Sequence, residues 1–401
     1  MKYSLIASAF FAFSMMSCSV SPGVSVRSGY FGKTDSGDST FLYTMVNSSG
    51  SSVTVTDYGC KLVSVNVPDA SGVIDDVIVG YGTLNDLEHG AERFAGAVVG
   101  RYGNRIYPSD VTICGEEYSL TVNERLGGRQ GHIHGGRKGF DRFVWEGEEV
   151  RTEATDSVPA RAGVRFHRLS PDGEEGYPGN LDAYVTYWWD DSCTLRIEYR
   201  ATTDRPTIVN MLNHAYFNLK GRAGGYVMDH VLQVDADRYF RNNTSFVPDG
   251  PAESVARTPF DFRRPHRVDY AIDTPSEQIV TMHGFSVCWP LDCWKEGELN
   301  HAATLWEPRS GRGVEVWTTE PGLLTYTGRG FSERIVGKYG PIEKFGGMLL
   351  ETLHYPNSPH DPSAPSSVLL PGDEYFSVTE FRFFNGPSGP LPEDRTMPVA
   401  G

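Results

Sequence analysis

The sequence lacks the features that define small disulfide-rich, zinc-binding or redox-active domains. Only six of its 401 residues are cysteine, and no CxxC pair occurs. A chain of this length can bury enough apolar surface to fold without disulfides, so no disulfide framework is expected. A zinc ribbon or a thioredoxin-like site is likewise unsupported, because the paired cysteines that build such sites are missing.

Positive charge is also scarce. The chain carries 36 Lys and Arg against 51 Asp and Glu, for a net charge of −15, and it contains no basic cluster. Binding to nucleic acid or to an anionic membrane surface is therefore not expected. Between residues 31 and 385 there is no low-complexity linker, charge block or repeat of fixed period.

The one long apolar run lies at the N-terminus. Lys2 precedes an apolar stretch that is too short to span a bilayer, so residues 1–17 are predicted to be an export signal. Met15 to Ser19 resembles the lipobox of bacterial lipoproteins, with Met15 where Leu is usual and Cys18 as the acylated residue. Ordinary secretion with an unmodified Cys18 is the alternative.

These N-terminal features predict a location and a domain organisation. We expect an exported bacterial lipoprotein of the periplasm or outer membrane, which contacts the membrane only through a lipid on Cys18. Residues 18–30, rich in Ser, Gly and Val, are predicted to form the lipidated cysteine and a flexible tether. Residues 31–401 are predicted to form a single domain, present as a monomer or weak dimer.

Period-two alternation dominates that domain and predicts strands. Alternate apolar residues from Leu181 to Trp189, a turn at 190–192 and a second alternating run from Leu195 to Tyr199 predict a hairpin. With 44 Gly and 25 Pro there is little room for long helices, and the best helical candidate is Ser332 to Lys338. The fold class is therefore all-β, a large antiparallel sandwich or a closely related form.

Four stretches combine glycine or apolar residues with side chains suited to chemistry. GRYGNRI at 100–106 carries Arg101, Asn104 and Arg105, which either bind a ligand or pair with surface acids. A fifth stretch, SPDGEEGYPG at 170–179, lacks the spacing of a calcium loop and predicts a rigid turn-rich loop.

Two histidines alternate in GHIHGG at 131–136. His132 and His134 would share a face of a strand, which suggests a metal site, but no further ligands occur at motif spacing nearby. The two glycines after His134 instead favour a tight turn that presents one imidazole to a cavity. A structural histidine with satisfied hydrogen bonds remains an equal alternative.

The last two stretches place polar groups among apolar ones. NMLNHAYFNL at 210–219 interleaves asparagines with His214 and Tyr216, and such donor–acceptor side chains suit neutral polyols. In GMLLETL at 347–353 the carboxylate of Glu351 ends an apolar run. A buried carboxylate is costly, so Glu351 is either held by partners or poised to exchange a proton.

Together these motifs resemble the aldose 1-epimerase family, also called galactose mutarotases. The matching pieces occur in the family's order from about Phe31 to Phe384: GRYGNRI, IHGG, SPDGEEGYPGNL, NHAYFNL, PFDFR, TTEPG with YTGR, and LLETL. The resemblance implies a large antiparallel β-supersandwich. It also implies a free monosaccharide, such as galactose or glucose, as substrate, with no metal or other cofactor.

The resemblance assigns roles to matching residues. Glu351 corresponds to the general base and His214 to the general acid, with Tyr216 beside the acid. Asn104, Arg105 and His134 correspond to residues that hold the sugar ring and its oxygens. The reaction moves a proton off the C1 hydroxyl and another onto the ring oxygen, so that the ring opens and recloses as the other anomer.

Two positions depart from the family pattern. Ser286 stands where an Asp normally grips sugar hydroxyls, and Leu324 stands where a Gln often contacts substrate. These changes imply an altered sugar preference or weaker binding, with the acid and base intact. They also motivate a second hypothesis, a non-catalytic carbohydrate-binding protein on the same fold. A phosphosugar epimerase is less favoured, because only Arg101 and Arg105 offer positive charge near the motifs.

Overall fold

The computed structural model describes residues 23–155 and 159–386. Over these ranges the chain forms many short and a few long strands with little helix, and every ladder between named strands is antiparallel. This confirms the all-β antiparallel prediction.

The strands are short in the first half of the chain except around the predicted hairpin. Their bounds are β1 (Ser25–Lys33), β2 (Ser39–Val46), β3 (Ser52–Thr56), β4 (Leu62–Pro68), β5 (Ile74–Asp76), β6 (Ile78–Val79), β7 (Val98–Val99), β8 (Arg105–Ile106), β9 (Asp110–Ile113), β10 (Glu116–Ser119), β11 (Glu124–Leu126), β12 (Arg129–Ile133), β13 (Glu146–Thr152), β14 (Arg161–Ser170), β15 (Leu181–Asp190) and β16 (Thr194–Thr203).

The second half contributes the remaining strands and two of the helices. The strands are β17 (Thr207–Ile208), β18 (Leu212–Asn213), β19 (Tyr216–Phe217), β20 (Val231–Val234), β21 (Arg238–Tyr239), β22 (Glu253–Ser254), β23 (His266–Arg267), β24 (Ser286–Pro290), β25 (Asn300–Trp306), β26 (Arg312–Thr318), β27 (Gly322–Tyr326), β28 (Val336–Gly337), β29 (Gly340–Pro341), β30 (Met348–Leu353), β31 (Val368–Leu369) and β32 (Tyr375–Asn385). The α-helices are α1 (Leu84–His89), α2 (Asp269–Asp273) and α3 (Glu277–Thr281).

The largest sheet has nine strands in the order β13-β14-β15-β16-β32-β26-β25-β20-β23. Its centre contains the predicted hairpin, in which Leu181 pairs with Thr203 and Trp189 with Leu195. The hairpin turns where the Asp190 carboxylate accepts the backbone N–H groups of Ser192 and Thr194, each at 2.9 Å. The alternating apolar side chains of both strands are buried in the main core, as period-two burial requires.

A five-stranded sheet, β24-β27-β30-β19-β6, lies against that core and holds the site. Its central strand β30 is buried along its whole length. Because side chains alternate across a strand, Met348 and Leu350 enter the main core, while Leu349 and Glu351 face the opposite side. The pairing therefore fixes which side of the sheet receives the carboxylate.

Two local predictions are wrong. Residues 25–30, expected in the tether, belong to β1 and pair with β2, because alternate positions of β2 are buried against the core. Residues 332–338 form turns and β28 instead of a helix. There the Ile342 backbone N–H donates to the Ile335 carbonyl oxygen at 2.8 Å. Cys18 and the export signal lie outside the described residues. Within those residues, no helix is long and apolar enough to cross a membrane.

Candidate functional site

His214 and Glu351 meet at one cavity although 137 positions separate them in the chain (351 − 214). The His214 Nε2 atom lies 3.5 Å from the Glu351 Oε1 atom, and both side chains are almost fully buried. Within the described residues, neither His214 Nδ1 nor Glu351 Oε1 has a hydrogen-bond partner. Two titratable groups therefore face each other with atoms free to bind a ligand.

Burial sets the protonation of this pair. Desolvation raises the pKa of Glu351, the charge of Arg105 partly opposes this, the charge of Glu92 adds to it, and the resulting pKa is about 8. Desolvation lowers the pKa of His214 to about 3. Both shifts favour the uncharged forms, so at neutral pH the pair holds one exchangeable proton, mainly on the carboxyl group.

His134 enters the cavity from a tight turn, as the glycines predicted. Its backbone has a φ of 50°, and at Gly135 a side-chain Cβ would lie 1.7 Å from the Gly100 carbonyl oxygen. The Asn104 backbone N–H donates to His134 Nδ1 at 3.2 Å, so the neutral ring carries its proton on Nε2. Burial holds the pKa of His134 well below its usual value, which makes it an uncharged donor.

Arg105 lines the cavity and is also paired with an acidic residue, so ligand binding and ion pairing, the two interpretations of its motif, both apply. Its Nε and Nη2 atoms donate to the two carboxylate oxygens of Glu124, each at 2.9 Å. The Tyr107 hydroxyl donates to the same carboxylate at 2.7 Å. These bonds fix the guanidinium where its charge acts on Glu351.

The other predicted contacts also line the cavity. Asn104, Tyr216 and Ser286 all contribute to its wall, and the rings of His214 and Tyr216 lie 5.3 Å apart. Leu324 is paired directly across from Glu351 on the neighbouring strand. The cavity has a volume of about 240 Å³, slightly below the usual range for pockets that bind drug-sized ligands, and suits a single sugar ring.

Two motif residues belong to the scaffold instead. The buried Arg101 guanidinium donates to the carbonyl oxygens of Ser170, Pro171 and Pro178, which holds the turn-rich loop at 170–179. His132 contacts the Thr121 carbonyl at 2.9 Å and the Tyr177 hydroxyl at 2.6 Å.

The cavity also contains side chains that the sequence analysis gave no role. Phe94 packs against the rings of both His134 and His214, at 4.7 and 5.7 Å. Glu92 adds a second, half-buried carboxylate, and desolvation raises its pKa to about 7. Arg329, inside the YTGR motif, adds a second guanidinium. In the described chain, the His, Cys and acidic groups close enough to share a metal ion are Asp35, Glu88 and His89, and none of these lines the cavity.

Comparison with known proteins agrees with this geometry. The family model described as aldose 1-epimerase matches residues 42–382. Galactose mutarotase of Mus musculus is 37% identical, over 90% of this chain and 99% of that protein. Aldose 1-epimerase of Escherichia coli (strain K12) is 33% identical, over 85% and 94%.

Solved structures extend the match to the fold. The structure of galactose 1-epimerase from Lactobacillus acidophilus NCFM has a TM-score of 0.76 and 28% identity, covering 90% of this chain and 99% of that one. The large antiparallel β-supersandwich expected from the resemblance is therefore confirmed. The chain belongs to the aldose 1-epimerase family, a family of isomerases that interconvert sugar anomers.

Proposed function

We propose that this protein interconverts the α and β anomers of a free aldose, with Glu351 and His214 as the proton-transfer pair. The observation that carries the proposal is their 3.5 Å approach inside a cavity, with atoms that no other described residue occupies. The galactose mutarotases among the relatives support a hexose such as galactose or glucose as substrate.

The reaction needs one proton acceptor and one proton donor at the same time. Glu351 as carboxylate accepts the proton of the C1 hydroxyl, and His214 as imidazolium donates a proton to the ring oxygen. The bond between C1 and the ring oxygen breaks, C1 becomes an aldehyde, and rotation about C1–C2 exposes its other face. Closure reverses both transfers and yields the other anomer, so atoms and protons balance.

The pair enters this cycle with a single exchangeable proton. In the free protein that proton resides mainly on Glu351, because burial disfavours both charges. Transfer of this proton from Glu351 to His214 leaves the number of protons on the pair unchanged and creates the carboxylate and the imidazolium that the reaction needs. A sugar hydroxyl that donates to Glu351, and a ring oxygen that accepts from His214, stabilise this charged form.

The neighbouring side chains position the sugar. His134 offers its Nε2–H as a neutral donor, and Arg105, fixed by Glu124, offers positive charge to oxygens that gain electron density. Asn104, Tyr216 and Ser286 supply hydroxyl and amide groups along the wall. We assign these five residues to substrate binding.

Anomer exchange measured directly tests the proposal. Saturation-transfer NMR with a panel of free aldoses, corrected for spontaneous exchange, should show acceleration that depends on protein concentration. Sugar binding without acceleration for any member of the panel would favour the non-catalytic carbohydrate-binding protein instead.

We also propose that the protein is exported and anchored through a lipid on Cys18, and that it is a monomer or weak dimer. The short apolar run and lipobox-like residues before Cys18 support this. Radiolabelled palmitate should label the wild type and not Cys18→Ala, and fractionation should recover only the wild type with membranes. Sedimentation of the protein without its signal tests the oligomeric state.

A further inference from the structure

Arg329 differs from the other arginines around the cavity in having no acidic partner. Arg105 is paired with Glu124, and Arg93, next to Phe94, is paired with Asp141 at 2.6 Å. Arg329 forms no ion pair with any residue in the described ranges, and its buried Nε atom has no acceptor there. Its charge is therefore left uncompensated in a wall of the cavity.

Aromatic rings hold this guanidinium in place. The guanidinium carbon lies 5.4 Å from the centre of the Phe246 ring and 5.7 Å from that of Tyr326. Stacked rings restrain a planar guanidinium but do not neutralise it, and they limit its access to water. A group removed from water in this way gains most from a ligand that supplies a charged acceptor.

Two uncharged polar side chains line the cavity together with Arg329. Ser286 and Asn242 line the same cavity, and the side-chain amide of Asn242 bonds to no residue within 23–155 or 159–386. Ser286 is paired with Tyr326 across the β24–β27 ladder. A carboxylate reaching Arg329 would thus meet a hydroxyl and an amide as further donors.

The strand register places Arg329 away from the proton-transfer pair. Glu351 lies opposite Leu324 on β27, and Arg329 follows three residues after the end of that strand. In a pyranose with C1 at Glu351 and His214, C5 is bonded to the ring oxygen on the side opposite C1, and C6 projects from that end of the ring. Among the substituents of a free aldose, C6 is the one that can be a carboxylate, and Arg329 offers it a cation in the same cavity.

We propose that the preferred substrate is a hexuronate, a hexose whose C6 is a carboxylate, and that Arg329 binds that carboxylate. The planar guanidinium matches the two oxygens of a carboxylate. This inference rests on the proposed anomerase function and specifies its substrate class.

The test compares sugars that differ only at C6. Anomer exchange is measured by NMR for glucuronate against glucose and for galacturonate against galactose, and kcat/KM is expressed as the ratio of acid to neutral sugar. We expect a ratio above one for at least one pair, falling about ten- to a hundredfold in Arg329→Gln through a higher KM for the acid. Arg329→Lys should retain part of the preference for the acid, because lysine keeps the positive charge but lacks the two parallel N–H donors of a guanidinium.

A matched control is Arg334→Gln, which removes an exposed guanidinium five residues along the chain and should leave the ratio unchanged. A ratio at or below one in the wild type, or an equal ratio in Arg329→Gln, overturns the inference. Preference for glucose 6-phosphate over glucuronate overturns the choice of carboxylate. Absence of catalysis on every sugar would instead overturn the proposed function.

Discussion

Within residues 23–155 and 159–386, two buried pairs each combine one histidine with one glutamate, and they differ in their hydrogen bonds and in their protonation. In the first, His354 Nδ1 lies 2.7 Å from Glu320 Oε2, while His354 Nε2 contacts the Ser366 carbonyl oxygen and Glu320 Oε1 accepts from Tyr375 at 3.4 Å. In the second, His214 and Glu351 lie 3.5 Å apart, and the two atoms noted above have no partner within the described ranges.

Their protonation differs accordingly. In the His354–Glu320 pair the partners overcome burial, so that the pKa of Glu320 is lowered and that of His354 is raised. In the His214–Glu351 pair burial prevails, and the pKa values move in the opposite directions. The same two residue types therefore form a salt bridge where further hydrogen bonds stabilise their charged forms. Where those hydrogen bonds are missing, they form an uncharged, reactive pair.

The largest expected effect is on catalysis by the second pair. Glu351→Gln keeps the shape and removes the exchangeable proton, so kcat/KM for anomer exchange should fall by about 10²–10⁴. Adding His214→Asn should cost little more, because the two groups act as one unit. If kcat/KM of Glu351→Gln stays within a few-fold of the wild-type value for every sugar that is a substrate, the assignment of Glu351 as the base is wrong.

The corresponding change in the first pair should affect folding instead. Glu320→Gln leaves His354 buried beside a neutral group, and breaking a buried pair costs about 3–5 kcal/mol of unfolding free energy. Urea denaturation followed by tryptophan fluorescence measures this loss. Glu351→Gln is the matched control and should not lower stability at pH 7, since a carboxyl whose folded pKa is raised costs stability above pH 4.5.

The first pair should also stabilise the fold in a defined pH window. Glu320, with a lowered pKa, contributes fully above its unfolded value of about 4.5 and loses its contribution as pH falls. His354, with a raised pKa, contributes fully below 6.5 and loses its contribution as pH rises through its folded value. The stability difference between wild type and Glu320→Gln should thus be greatest between about pH 4.5 and 6.5. A difference that keeps growing above pH 8 would contradict the assignment.

The pH dependence of catalysis should report the proton held by the second pair. Above about pH 8 Glu351 loses that proton, and no group remains to protonate the ring oxygen. We expect kcat/KM to be level between pH 5 and 7 and to fall through about pH 8, after correction for spontaneous exchange. Activity that still rises from pH 7 to 9 would mean that the fully deprotonated pair is the active form.

The smallest effect is expected from Glu92. Its charge raises the pKa of Glu351, so Glu92→Gln should move the alkaline fall in kcat/KM to lower pH. The rate on the level part of the profile should change far less than in Glu351→Gln. Glu88→Gln, which changes a half-buried carboxylate outside the cavity, provides the control and should leave the profile in place. A shift to higher pH would show that Glu92 acts on the pair by another route.

Sequence patterns predicted the strands and brought the correct motifs together, because alternation and glycine placement are local properties. They could not tell His132 from His134, since that distinction depends on Tyr177 and Asn104, which contact them only in the fold. Sequence patterns likewise could not tell Arg101, which belongs to the scaffold, from Arg105, which lines the cavity. Which arginine remains unpaired is decided by contacts between distant residues, and so Arg329 was overlooked.

The positions of helices were predicted less well from the sequence than those of strands. α1 begins at a recognisable signal, since the Thr83 hydroxyl accepts from the Asp86 backbone N–H and donates to the Asp86 carboxylate. The predicted helix at 332–338 has no such cap, and its apolar residues pack as turns and a short strand. Attention to capping residues would have favoured the first segment over the second.

The alternation along β30 makes the catalytic carboxylate intolerant of any change in chain length. Deleting or inserting one residue between Gly347 and Glu351 would exchange the two sides of the strand. Glu351 would then point into the hydrophobic interior and Leu350 into the sugar cavity. Arg329, in contrast, lies outside the strands, so a change of its side chain leaves the register of β30 unchanged. Diversification of substrate in this scaffold should therefore proceed through side chains outside the strands, while the strand that supplies the base keeps its length.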